Sequence, residues 1–193
     1  MKYLYRAVEE LFPFLFFLVS KKRIKKSIDN IDELTEKSKA YKALDADCIN
    51  DRIKEELERS IRVDDKTFKF TLGLSLSLTV LAAASGSVTK YLSSNLFVEY
   101  ISIACGISAL YMLAAGITAL GALKTLPTYG YGTDHLIKQK VDGVSYLSQA
   151  LFAQERMNII RHLRNEAAYQ SLRNGFILLF VALTFSVVTH INS

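Results

Sequence analysis

The densest polar chemistry in this chain lies in Gln154-Glu155-Arg156-Met157-Asn158-Ile159-Ile160-Arg161-His162-Leu163-Arg164-Asn165-Glu166-Ala167-Ala168-Tyr169-Gln170. Wound as a helix, Glu155, Asn158, His162, Asn165, Glu166 and Tyr169 fall near one face, with Ile159, Ile160 and Leu163 displaced from it. Arg161, Arg164 and Arg173 add guanidinium forks of the kind that grip a phosphate or carboxylate. Amides, an imidazole, a phenol and opposed charges together make Asn158, Arg161, His162, Arg164, Asn165, Glu166 and Tyr169 candidates for a nucleotide, phosphate or protein-partner site. A solvated helix face is the plainer reading of the same residues.

Within that stretch Arg156 and His162 are separated by five residues, a spacing similar to the loose Arg/His pattern of HEPN ribonucleases. The resemblance implies a His that acts as base and an Arg that steadies a phosphate. Met157 departs from it, because a polar residue usually follows the Arg. His135 and His190 stand alone, so no metal site is expected. No nucleophile elbow, P-loop or glycine-rich dinucleotide fingerprint occurs, and no cofactor is expected. The chain reads as non-catalytic, with Arg156 and His162 as the enzymatic alternative.

The elements that must carry these residues follow from three stretches without Asp, Glu, Lys or Arg, at 70–88, 100–123 and 174–193. A hydrocarbon core about 30 Å thick is crossed by ~20 apolar helical residues, so each stretch is long enough. The expected fold class is all-α, an integral membrane protein with three transmembrane helices plus amphipathic cytoplasmic helices. Of 24 Lys and Arg, 16 precede Phe70, Lys90 stands alone, and seven lie between Lys124 and Arg173. Positive charge stays inside. The N-terminus and 124–173 are therefore placed in the cytoplasm and the C-terminus outside. The expected organisation is 1–26 as an interfacial anchor, 27–69 as a cytoplasmic helical arm, 70–123 as a transmembrane hairpin, 124–173 as a cytoplasmic insert and 174–193 as the third span.

In the anchor, the apolar run 11–19 is too short to span and is interrupted by Pro13. An in-plane helix fits, with Lys21, Lys22, Arg23, Lys25 and Lys26 meeting lipid headgroups, and a re-entrant or additional span or burial against another part of the protein are the alternatives. In the arm, helical spacing runs from Ser27 to Arg62, with a break expected near Asp45 to Asp51 and a cap at Asn50. The spans place Thr71, Ser75 and Thr79 at four-residue intervals, and Ser102 and Gly106 likewise. Small and hydroxyl residues let helices approach closely, so these are helix-packing or pore-lining candidates. Cys48 and Cys105 fall in different environments, and no disulfide between them is expected.

Thr128-Tyr129-Gly130-Tyr131-Gly132-Thr133-Asp134 looks like a potassium-channel filter signature. Its place directly after the second stretch, on the positive side, makes it a juxtamembrane turn instead. Beyond Asp142 the helical spacing continues through Val144, Leu147, Leu151 and Ile160, so one helix is expected to enter the third stretch.

This order of elements, with Val63-Asp64-Asp65-Lys66-Thr67 leading into Leu72-Gly73-Leu74 and the basic helix 161–173 leading into the last stretch, resembles the transmembrane effectors of bacterial antiviral systems, the Pycsar and SLATT-type effectors. The resemblance implies a homo-oligomer in the lipid bilayer of the bacterial inner membrane that senses a nucleotide or protein trigger from the cytoplasm and then permeabilises or depolarises the membrane. No direct nucleic-acid contact is expected. A pore-forming membrane accessory of RNA-guided defence and a non-catalytic docking module are the alternatives. The chain departs from the resemblance in its longer N-terminal arm and its lack of a recognisable nucleotide-binding domain.

Overall fold

A computed structural model describes residues 8–91, 96–122 and 126–191; the side chains of 70–72, 75, 79, 82–83, 86–91, 96–98 and 189–191 lie outside the described set. Helix α1 spans Pro13–Asp29, α2 Ile31–Ser38, a 3-10 turn Lys39–Ala43, α3 Ala46–Tyr91, α4 Leu96–Leu120 and α5 Thr133–Ile191. All of these elements are helical, and no strand occurs among the described residues.

Local chemistry sets the boundaries. Pro13 opens α1, where a missing N–H costs nothing. Asn30 ends α1 and begins α2, its Oδ1 accepting from the N–H groups of Asp32 and Glu33. The expected cap at Asn50 is displaced. Asp45 does the capping, with Oδ1 accepting from Cys48 N at 2.6 Å, and Asn50 lies one turn inside α3. The arm is therefore broken twice, at Asn30 and at residues 39–45, before α3 runs uninterrupted for 46 residues. Gly143 interrupts α5 with φ 51° and ψ −133°, a conformation that a side chain would strain. From 144 to 191 the helix is continuous, a rod of about 70 Å.

Helix α5 is the spine, and its buried residues repeat with heptad spacing: Leu147, Leu151, Gln154, Asn158, Arg161, then Ala168, Gly175, Leu179 and Ala182. Buried positions of α3 follow the same rhythm, at Ile49, Ile53, Glu56, Ser60, Val63, Thr67, Leu74 and Leu81. Cross-helix hydrogen bonds join residues 97 to 102 apart, so α3 and α5 run parallel and nearly in register. Alternating three- and four-residue spacing keeps one seam facing the partner along the whole length. Helix α4 joins antiparallel through Ile101, Cys105, Ser108, Met112, Ala115 and Ala119. It packs tightly on α5 at Gly175, whose carbonyl accepts from Ser108 Oγ at 2.6 Å. A Cβ there would sit 3.0 Å from Met112 Cγ and 3.1 Å from the Ser108 carbonyl oxygen. Small residues at such crossings let two backbones meet.

Two apolar layers result. Ile49 and Ile53 pack on Leu147, Ala150 and Leu151 at one end, and Leu74 and Leu81 pack on Ile101, Cys105, Met112, Leu179 and Ala182 at the other. Helix α1 adds Phe17 and Ile28 against Met157 and Ile160. Among the described residues two helices are long and apolar enough to cross a membrane, through Glu99–Leu120 and through the C-terminal part of Thr133–Val188. Only 39% and 22% of these apolar windows are buried, whereas the core helix of a soluble protein would be mostly covered. Leu110, Ile117, Phe180 and Phe185 point outward. The 70–88 stretch is helical as the second half of α3, but many of its side chains lie outside the described set.

Candidate functional site

Between the two apolar layers the α3/α5 seam turns polar. Asn158, 1% exposed, donates through Nδ2 to the Glu56 carbonyl oxygen at 2.7 Å and to Glu56 Oε2 at 2.6 Å. Its Oδ1 accepts from Arg161 Nη1 at 2.9 Å, and Arg161 Nε donates to Asp64 Oδ2 at 3.1 Å. Thr67 Oγ1 donates to the Val63 carbonyl at 2.9 Å and lies 3.4 Å from Asn165 Oδ1. Arg59 reaches Glu56 Oε1 through Nη1 at 3.3 Å, and its Nε donates to His162 Nε2 at 3.1 Å. Asp64 on α3 thus faces two buried guanidinium groups on α5, and the amide of Asn158 links Arg161 to Glu56.

Two carboxylates, Glu56 and Asp64, meet three guanidinium groups, Arg59, Arg161 and Arg164, and the hydrogen bonds of the layer are incomplete. Arg164, 3% exposed, stands with Nη1 4.0 Å from Asp64 Oδ1, and neither atom has a hydrogen-bond partner. Gln154 accepts from Tyr129 N at 2.9 Å while its buried Nε2 has none. An orphaned buried polar atom costs about 1–3 kcal/mol, so this seam holds together less firmly than the apolar layers that flank it. Burial pushes the Arg164 guanidinium down, Asp64 opposes that shift and Arg161 adds to it. Arg164 Nε also lies near the last turn of α4, 3.8 Å from where a Cβ on Gly121 would stand, so its charge faces the negative end of that helix.

The structure divides the residues singled out by sequence. Asn158, Arg161 and Arg164 come together, joined by half-buried Asn165, and all face α3. His162 is on the exposed flank, its pKa lowered by burial and by Arg59. Glu166 is exposed and accepts from Gln170, and Tyr169 is exposed. Arg156 lies over the Phe152 ring at 4.9 Å, whereas His162 meets Arg59, so the pair with HEPN-like spacing is engaged separately. Glu155 accepts from Tyr41, whose pKa is pushed up to about 12 by burial and by that carboxylate. Ser102 and Gly106 are exposed, on the far side of α4 from the Ser108 seam, and Gly106 has no neighbour within 4 Å of a Cβ position. The side chains of Thr71, Ser75 and Thr79 lie outside the described residues. Lys22, Arg23 and Lys26 are exposed on α1, Lys25 is half-buried, and Lys21 lies over the Phe17 ring at 5.7 Å. Cys48 and Cys105 are both free.

No family model, curated protein or solved structure matches this chain. Its chemistry is therefore read from the seam itself.

Glu56, Ser60, Asp64, Thr67 and Arg59 were not singled out as site residues, although their spacing carried the signal. Extending the apolar heptad from Ile49 and Ile53 lands on Glu56, Ser60, Val63 and Thr67, and the same extension from Leu147 and Leu151 lands on Gln154, Asn158 and Arg161. Polar residues at seam positions of two such repeats are the mark of helices paired in a fixed register, at some cost in stability. With both arginines turned inward on Asp64, the layer fixes the register of α3 against α5. Water or a competing charge would find orphaned donors and acceptors there to satisfy.

Proposed function

We propose that this chain is a membrane effector of bacterial antiviral defence, a homo-oligomer in the inner membrane that depolarises it when triggered from the cytoplasm. The observation that carries the reading is the continuity of α5, which bears the unsaturated polar layer at 154–164 and the lipid-compatible stretch of 174–188 on one rod. A change in pairing at Asp64 has a direct mechanical path to the apolar end. The three spans are 70–88, 100–123 and 174–193, with the N-terminus inside. Helix α1 runs back along α5, with Glu10 held by Asn174 and with Phe17 and Ile28 against Met157 and Ile160, so its start lies at the membrane entry and Lys22, Arg23 and Lys26 stand away from it. The chain itself carries out no catalysis in this reading.

A cleft of about 850 Å³ between the start of α3 and the Gly130 turn is open to the trigger. It is lined by Asp47, Asp51, Lys54, Tyr131 and His135, and Lys54 is already paired with Asp51 at 3.1 Å. That charge pattern repels phosphate and suits a basic protein segment, which favours a protein trigger over a nucleotide. The test is a voltage-sensitive dye in bacteria that express the chain, before and after phage infection. Loss of potential that follows infection and requires the chain is expected. An undiminished potential in infected cells that hold the protein in their membrane fraction would sink the reading.

A further inference from the structure

Two cavities flank the segment 8–15 where it crosses α4 and α5. The first, about 260 Å³ and open to the outside, is lined by Leu11, Phe14, Ile107, Leu110, Ala114 and Ser171. The second, about 440 Å³, runs from Glu10, Arg173 and Asn174 to Ile177 and Val181. They share Leu11, Ile107 and Tyr111, and the Tyr111 hydroxyl donates to the Leu11 carbonyl at 2.8 Å on their common wall. Asn174 Nδ2 donates to the Glu10 carbonyl at 2.6 Å and holds the segment across the groove.

Two features point to an occupant. Arg173 is exposed at the mouth of the second cavity and donates to Asn174 Oδ1 at 3.3 and 3.4 Å, with no carboxylate within ion-pair distance among the described residues. Beyond this polar mouth the walls become wholly apolar along the stretch that is able to cross a membrane.

We propose that the groove holds one phospholipid of the surrounding bilayer. The Arg173 fork takes the phosphate, and the acyl chains lie in the two cavities on either side of the Tyr111–Leu11 bond. Glu10 at the mouth gives the phosphate's neighbour a carboxylate, which suits an ethanolamine ammonium. The proposal rests on the membrane reading above and specifies what the cytoplasmic leaflet contributes to the fold.

The full chain is reconstituted into vesicles of phosphatidylethanolamine and phosphatidylglycerol containing a phosphatidylethanolamine with a diazirine in its acyl chain. After illumination, adducts are mapped by peptide mass spectrometry. Labelling is expected to concentrate at Ile107, Leu110, Tyr111 and Ile177. Arg173→Gln should reduce it about tenfold, the loss expected for one charge-assisted hydrogen bond. Ala114→Phe, which fills the first cavity without touching the mouth, should reduce labelling of Leu110 while leaving helicity unchanged. Labelling spread evenly over the outward residues Ile103, Leu113 and Val187, or unaltered in both variants, overturns the site while vesicle flotation keeps the membrane reading intact. Cross-linking between two copies through the groove assigns it to a dimer and overturns the site as well. A chain that does not float with the vesicles overturns both readings.

Discussion

Asp64 decides how the seam behaves, because two buried guanidinium groups depend on one carboxylate that is itself 35% exposed. Asp64→Asn keeps the shape and removes the charge, leaving Arg161 and Arg164 buried beside a neutral amide. Breaking a buried pair costs about 3–5 kcal/mol, and the partial exposure of Asp64 reduces this to about 2–3 kcal/mol. Thermal unfolding followed by circular dichroism in detergent should show the loss, and a melting curve that overlays the parent would refute it. The histidines set a pH response. Burial lowers His135, and burial together with Arg59 lowers His162, both from an ordinary value of 6.5. The unfolded chain therefore binds these protons more readily than the folded one, so their contribution to stability is complete above pH 6.5 and is lost as pH falls through the lowered values. Replacing both with Gln should flatten stability between pH 7 and about 5, above the range in which most carboxylates titrate. An unchanged slope would show that other groups carry it.

At the scale of elements, helical type and the long rod of α5 were legible from spacing alone. The reason is that heptad periodicity and uninterrupted apolar runs act locally, and no Gly or Pro after Gly143 contradicts them before Gly175. Cap positions were less legible, because Asp45 and Asn50 are both competent to start α3, and the packing of Ile49 and Ile53 on Leu147 and Leu151 keeps Asn50 inside the helix. The polar face of 155–169 was legible as unusual. Its orientation was not, since the direction of Asn158 and Arg161 depends on Glu56 and Asp64 about a hundred residues away. The Gly130 turn shows the same dependence. Its φ of 78° is a local requirement, but a Cβ at this position would also stand 2.6 Å from Ile53 Cγ2, a contact made by the fold. Gly130→Ala should therefore destabilise by about 1–3 kcal/mol. Gly132→Ala, with φ 90° and open space around it, carries only the backbone strain. Equal melting temperatures for the two variants would contradict the packing part of this account.

At the scale of the whole molecule, the parallel pairing of α3 and α5 places a partly satisfied polar layer between two well-packed apolar ones. Buried polar groups at a helix seam fix register at the expense of stability, which is the arrangement expected of an element with two states. In the proposed effector the resting state is the paired layer, and the active state is reached when the α3/α5 register is released and the movement travels along α5 to 174–188. The most direct test is the membrane potential of bacteria expressing the parent chain or Asp64→Asn, read with a voltage-sensitive dye at matched amounts of protein in the membrane fraction and without infection. The account predicts that the parent leaves the potential intact and that Asp64→Asn collapses it. A potential equally intact in both, with the variant folded and in the membrane, would contradict the claim that this layer holds the effector at rest.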